Sequence, residues 1–132
     1  MQIRVPVASD GDLVAARREG RVMAERLGFS ASEATLVATA ISELARNIVN
    51  YAGSGEIHIG SNDNGGKHGI TVIARDQGPG IEDVKLAMRE GYSTSGGLGL
   101  GLPGVRRIMD EFDIVSERGR GTVITVTKWK RR

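Results

Sequence analysis

Apolar positions along the chain change their period several times, and each change marks an element. Ile3, Val5 and Val7 alternate with other residues, which predicts a first strand. After Ser9 or Asp10, either of which suits a cap, the period lengthens. Leu13, Ala16, Gly20, Met23 and Leu27 recur at helical spacing, and Gly28 stands where that helix would stop. Ser30-Ala-Ser-Glu33 is a capping-box pattern. The helix behind it is predicted to run to about Tyr51, with Ala34, Val37, Ala38, Ile41, Leu44, Ala45 and Ile48 as its apolar stripe and Gly53-Ser-Gly55 at its end. Two strands, Glu56 to Ser61 and Gly69 to Arg75, flank the turn composition Asn62-Asp-Asn-Gly-Gly66 and read as a hairpin. A short helix-like segment is expected from Ile81 to Arg89. Pro103 suits the first turn of a helix through Val105, Ile108 and Met109, and Phe112 to Ser116 and Thr122 to Trp129 read as closing strands.

This order holds hairpins but no regular alternation of strand and helix. It predicts an α+β, two-layer sandwich with a mixed, mostly antiparallel sheet and helices on one face. No repeat, linker or low-complexity tract divides the chain, so residues 1–132 read as a single domain.

Composition narrows the chemistry. The absence of cysteine excludes disulfides and thiolate metal sites, and the two histidines, His58 and His68, are too few for a His-rich one. No apolar run approaches the roughly 20 residues of a membrane span and no signal-peptide core follows Met1, so a soluble cytoplasmic protein without membrane contact is expected. Lysine and arginine number 18 against 16 acidic residues, and much of the excess lies in the tail Lys128-Trp129-Lys130-Arg131-Arg132. That tail reads as a solubilising end. With aromatics at 4%, a base-stacking platform and a nucleic-acid partner are not expected.

Three segments carry candidate chemistry. On the second helix, Glu43, Asn47 and Asn50 fall roughly 120–180° from Ile41, opposite the apolar stripe. Glu43 and Asn47 are four apart and therefore neighbours. A carboxylate beside an amide oxygen suits a hard cation such as Mg²⁺ and a general base, although for this pair alone an ordinary solvated face is the simpler reading, since polar outer faces are the rule. Asp76-Gln-Gly-Pro-Gly80 puts an acidic residue at a strand tip with Gly78 and Gly80 behind it. Asp76 suits an exocyclic amine such as that of adenine, and the glycines admit a flat ligand, although a plain Gly-Pro turn has the same composition. The third, Gly96 to Gly104, contains Gly99-x-Gly101-x-x-Gly104, a dinucleotide-binding fingerprint by its letters. Its context is wrong: Gly91-Tyr-Ser-Thr-Ser-Gly96 before it has no strand character, and no acidic residue stands near position 124. No Gly-Lys-Ser/Thr exists for a P-loop either. What fits is a glycine-rich loop whose backbone amides, with the helix N-terminus at Pro103, take up phosphate.

Together, Glu43-Leu-Ala-Arg-Asn47, Asp76-Gln-Gly-Pro-Gly80 and Gly97-Leu-Gly99-Leu-Gly101 resemble the N, G1 and G2 boxes of the GHKL ATP-binding superfamily, and Gly119-Arg-Gly121-Thr122 resembles its late Gly-Thr element. The resemblance spans nearly the whole chain and is densest from Ser42 to Phe112. It implies ATP and Mg²⁺, with Asn47 holding the metal, Glu43 orienting or deprotonating the incoming hydroxyl, and Asp76 binding the adenine amino group. Gly78 and Gly80 would shape the adenine pocket, Gly97, Gly99 and Gly101 would form an ATP lid, and Thr122 would join the adenine-side hydrogen bonds. Leu98, Leu100 and Leu102 are expected to pack that lid onto the core. Arg46 and Arg75 suit phosphate charge but have no firm family match, and Arg46 reads rather as a surface or partner-contacting residue.

Gly91 to Gly104 and Met109-Asp-Glu-Phe112 resemble the stressosome switch kinases in particular. Those kinases phosphorylate STAS-domain scaffold proteins and then activate a PP2C-type phosphatase by binding it, so the resemblance implies the same partners here. An anti-sigma factor kinase, which sequesters a sigma factor and phosphorylates its STAS-domain antagonist, shares the same boxes. A detached histidine-kinase catalytic domain is disfavoured, because 132 residues leave no room for the dimerisation helices that carry the phospho-accepting histidine. Monomer and dimer both fit the sequence.

Overall fold

The structure is a computed structural model that describes residues 2–78, 101–117 and 119–130. Its elements are β1 (Gln2–Val7), α1 (Asp10–Arg26), α2 (Ala31–Ala52), β2 (Gly55–Asn64), β3 (Lys67–Asp76), α3 (Gly101–Ile108), β4 (Glu111–Glu117) and β5 (Gly121–Trp129). The helix expected over 81–89 and most of the glycine-rich loop lie outside the described residues.

The strands form one five-stranded sheet in the order β1-β2-β3-β5-β4. All its ladders are antiparallel, so the parallel component allowed in a mixed sheet is not present among the described residues. The β2–β3 hairpin is longer than its composition implied. Asn62 and Asp63 are paired to Gly69 and His68, and the turn shrinks to Gly65-Gly66 at φ 58 and 85. Two successive positive φ angles are what a tight hairpin turn needs, and glycine supplies them without a Cβ penalty.

Alternation places Val5, Val7, Ile57, Ile59, Ile70, Val72, Ala74, Ile124 and Val126 on one face, all buried. Both long helices cover that face. From α1 come Leu13, Ala16, Met23 and Ala24, and α2 contributes the whole predicted stripe together with Ala40. Ile41, Leu44 and Ile48 are fully buried, each stabilising the fold by roughly 1.5–3 kcal/mol. Gly20 lies at the crossing of α1 and α2, where a Cβ would run into Ile41 Cδ1.

The caps differ in detail from expectation. Ser9 is the N-cap of α1 but its side chain makes no capping bond; Asp12 reaches back instead, and its Oδ2 accepts the Ala8 amide at 2.8 Å. At α2 the box forms in part: the Glu33 amide donates to Ser30 Oγ at 3.2 Å, while the Glu33 carboxylate takes the Ser30 hydroxyl at 3.3 Å rather than a backbone amide.

The basic tail is a correction. Lys128 belongs to β5, is buried, and donates from Nζ to the Ile108 carbonyl at 3.0 Å, closing the C-terminus of α3. Trp129 Nε1 donates to Glu111 Oε2 at 2.6 Å. Among the described residues no helix is long and apolar enough to cross a membrane.

Candidate functional site

The polar residues of α2 do not all face water. Glu43 has a side chain only 10% exposed, because α3 packs over it. Its Oε1 lies 2.6 Å from Arg46 Nη1, and its Oε2 accepts the Gly101 amide at 3.1 Å. Gly101 is therefore positioned by the very residue read as a base, and its first helical amide is directed at a carboxylate of the protein itself. A carboxylate at a helix N-terminus satisfies an otherwise orphan donor and meets the positive end of the helix dipole. Arg46, expected at the surface or against a partner, has a side chain 37% exposed and is ion-paired to Glu43. Asn47 lies half-buried one helical turn beyond Glu43.

The second cluster sits where β3 ends. Asp76 is buried and stands between Gly55 of β2 and Thr122 of β5 in the ladders. Its Oδ1 accepts the Gly78 amide at 3.0 Å, which turns the chain off the sheet. Thr122 is buried as well, and its hydroxyl shares a hydrogen bond of 2.9 Å with Ser116 Oγ on β4. Three glycines close around Asp76. A Cβ on Gly121 would strike the Asp76 carbonyl oxygen, one on Gly55 would strike the Arg75 carbonyl and lie 3.1 Å from Asp76 Cβ, and one on Gly78 would meet Ala52 Cβ at 2.5 Å. What Gly78 admits among the described residues is thus α2 itself. Of these glycines, Gly55 reads in the sequence only as a helix stop; the sequence holds no sign of its packing, because its neighbours are Arg75 and Ile48.

These contacts line the groups up along α2. Gly78, bonded to Asp76, lies against its last turn at Ala52, Asn47 follows, and Glu43 with the start of α3 comes last. Nine residues separate Ala52 from Glu43, an axial rise of roughly 13 Å. Asp76 also lines a cleft of about 400 Å³ with Val7, Ala8, Ser54, Gly55 and Gln77 among others. Leu102 is buried in the core as part of α3, while Leu98 and Leu100 lie outside the described residues with Gly80, Gly97 and Gly99. No cluster of three or more histidine, cysteine or acidic side chains occurs among the described residues.

The histidines have local partners. His58 Nε2 lies 2.8 Å from Glu56 Oε1, and His68 Nδ1 lies 2.6 Å from Asp63 Oδ1. The His58 hydrogen bond holds the Glu56 carboxyl below its ordinary value, with the Arg4 guanidinium adding to the effect and partial burial opposing it.

Known proteins match this chain in sequence and fold. The family model of the histidine kinase-, DNA gyrase B-, and HSP90-like ATPases matches residues 32–132. The serine/threonine-protein kinase RsbT of Bacillus subtilis (strain 168) is 53% identical over 127 residues, covering 96% of either chain. An anti-sigma F factor of Thermoanaerobacter pseudethanolicus is 32% identical over 120 residues, covering 86% of this chain and 82% of its own. In fold, the mycobacterial sensor histidine kinase MprB superposes with a TM-score of 0.57 at 17% identity, covering 98% of this chain and 99% of that one. The chain belongs to the histidine kinase-, DNA gyrase B- and HSP90-like ATPase family, and it is a protein kinase of the branch that holds the serine/threonine kinases and anti-sigma factors.

Proposed function

We propose that this kinase transfers the γ-phosphoryl group of ATP to a serine or threonine hydroxyl of a STAS-domain scaffold protein and, once released, binds and activates a PP2C-type phosphatase. The reading places it in the cytoplasm as a single catalytic domain. The observation that carries the chemistry is the order of groups along α2. A buried acceptor stands at one end, an amide oxygen in the middle, and a carboxylate beside the start of α3 at the other.

In this reading Asp76 accepts a hydrogen bond from the exocyclic amine of adenine, and Thr122, its ladder partner, extends the polar edge of that pocket. Gly78 shapes the same end, with Gly80 beyond it. The Asn47 amide oxygen is a hard donor and fits Mg²⁺, which takes few protein ligands. When bound, that ion neutralises phosphate charge. Gly97 and Gly99 supply backbone amides to the lid, and Gly101, whose own amide is held by Glu43, ends it at the start of α3. Glu43 orients the acceptor hydroxyl and takes its proton as the new P–O bond forms and the bond to the ADP oxygen breaks. Phosphoryl transfer depends mainly on such positioning and charge stabilisation. A base of this kind contributes on the order of 10²–10⁴ in rate.

The test is transfer from labelled ATP to a STAS-domain protein. Glu43→Ala should abolish transfer and spare nucleotide binding, while Asp76→Asn should weaken binding itself. Transfer at the unaltered rate by both variants would overturn the assignment. A second reading, an anti-sigma factor kinase, draws on the 32% identity to an anti-sigma F factor. Retention of a sigma factor but no STAS scaffold in a pull-down would favour it.

A further inference from the structure

Glu43 is engaged at both oxygens, and the two partners differ in kind. Gly101 offers a backbone amide from α3, while Arg46 offers a charge from the next turn of the same helix. Most ion pairs three apart on a helix are exposed at both ends and stabilise by a few tenths of a kcal/mol. Here one end is withdrawn: the Glu43 side chain is 10% exposed against 37% for Arg46. Attraction between charges grows as water is excluded, so this pair constrains Glu43 more firmly than a surface pair would.

A carboxylate has two oxygens and about four acceptor positions. Arg46 and Gly101 each take one, on different oxygens. Left alone, the terminal torsion of a glutamate is broad and roughly two-fold. The guanidinium at 2.6 Å removes that freedom. We infer that Arg46 is a positioning residue for phosphoryl transfer, holding Glu43 by Oε1 so that Oε2 is presented at the seam between α2 and α3. The inference rests on the reading of Glu43 as the base.

Arg46 also borders a groove of about 340 Å³ between α1 and α2, with Leu13, Val14, Arg17 and Ser42. A docking role there would act on the affinity for the protein acceptor, whereas a positioning role acts on turnover. Steady-state transfer from ATP to a STAS-domain protein separates them, using Arg46→Met, Arg46→Lys, Glu43→Gln and the double variant Glu43→Gln with Arg46→Met. Thermal melting of each shows that it is folded.

Arg46→Met should lower kcat roughly 10–100-fold, the scale of a misplaced catalytic group, with both KM values within about twofold. Arg46→Lys restores a cation and should recover most of the loss. In the Glu43→Gln background, Arg46→Met should cost nothing further, because the two act as one unit. The inference is overturned if Arg46→Met raises the acceptor KM at unchanged kcat, if lysine fails to rescue a folded protein, or if the two losses multiply. Full activity of Arg46→Met beside an inactive Glu43→Gln removes the positioning role and leaves the base reading standing. Wild-type transfer by Glu43→Gln removes both.

Discussion

Gly119 and Gly121 form a matched pair for testing how Asp76 is held. Both have positive φ, 82 and 102, so an alanine at either is strained. Only Gly121 lacks room: its Cβ would strike the Asp76 carbonyl oxygen and lie 2.8 Å from Gln77 Cα, whereas nothing stands within 4 Å of a Cβ on Gly119. The backbone strain is of order 1–3 kcal/mol at either position. At Gly121 the obstruction is backbone and cannot rotate away, so the ends of β3 and β5 must part. That adds the loss of a terminal ladder bond, about 1 kcal/mol, and the packing around a buried carboxylate. Gly121→Ala should therefore destabilise by roughly 3–5 kcal/mol and Gly119→Ala by roughly 1–2. In a chain of this size the first lowers Tm by about 10–15 °C. The effects on the site should diverge further. With Asp76 read as the acceptor for the adenine amine, displacing it forfeits a hydrogen bond donated to a carboxylate, so ATP affinity should fall roughly 10–100-fold in Gly121→Ala and remain unchanged in Gly119→Ala. Urea unfolding and isothermal titration with ATP read the two quantities separately. Equal stability losses, or unchanged ATP affinity in folded Gly121→Ala, would refute the reasoning.

Other expectations follow from single contacts. Gly20→Ala gains helix propensity of about 1 kcal/mol but forces its methyl onto Ile41 Cδ1, so thermal melting should show a net loss of about 1–2 kcal/mol. Ser30→Ala removes the acceptor of the Glu33 amide and should cost about 1 kcal/mol in urea unfolding, with nucleotide affinity unchanged. Glu56 has a depressed folded-state pKa, so its contribution is present above the ordinary value of 4.5 and fades as pH falls through the lower folded value. Glu56→Gln should accordingly lower stability at neutral pH and flatten the decline below 4.5, and a pH series of melting curves that runs parallel to the unaltered protein would contradict this.

The elements were legible because their periods were clean. The stripe from Ala34 to Ile48 is buried throughout, and the alternation in β1, β3 and β5 predicts the face that the helices cover. The hairpin turn was overestimated because Asn62 and Asp63 have turn chemistry, yet long-range pairing to Gly69 and His68 outweighs it. The basic tail misled for a related reason. Composition treats Lys128 as a charge at a chain end, whereas the register of β5 points it into the protein beneath α3.

Residue types and their spacing were enough to determine the family and the α+β class and to single out Glu43, Asn47 and Asp76 as candidates, because local pattern and motif chemistry are properties of the linear chain. How those groups are held was decided only in three dimensions. Arg46 is three residues from Glu43, but Gly101 is 58 residues away, and it is α3 packing over α2 that withdraws the carboxylate from water and gives their ion pair its restraint. Gly55 and Gly121 close on Asp76 from two strands distant in sequence, and their missing Cβ atoms matter only because the ladder brings those backbones together. Proximity across the fold is set by packing, and no local period encodes it.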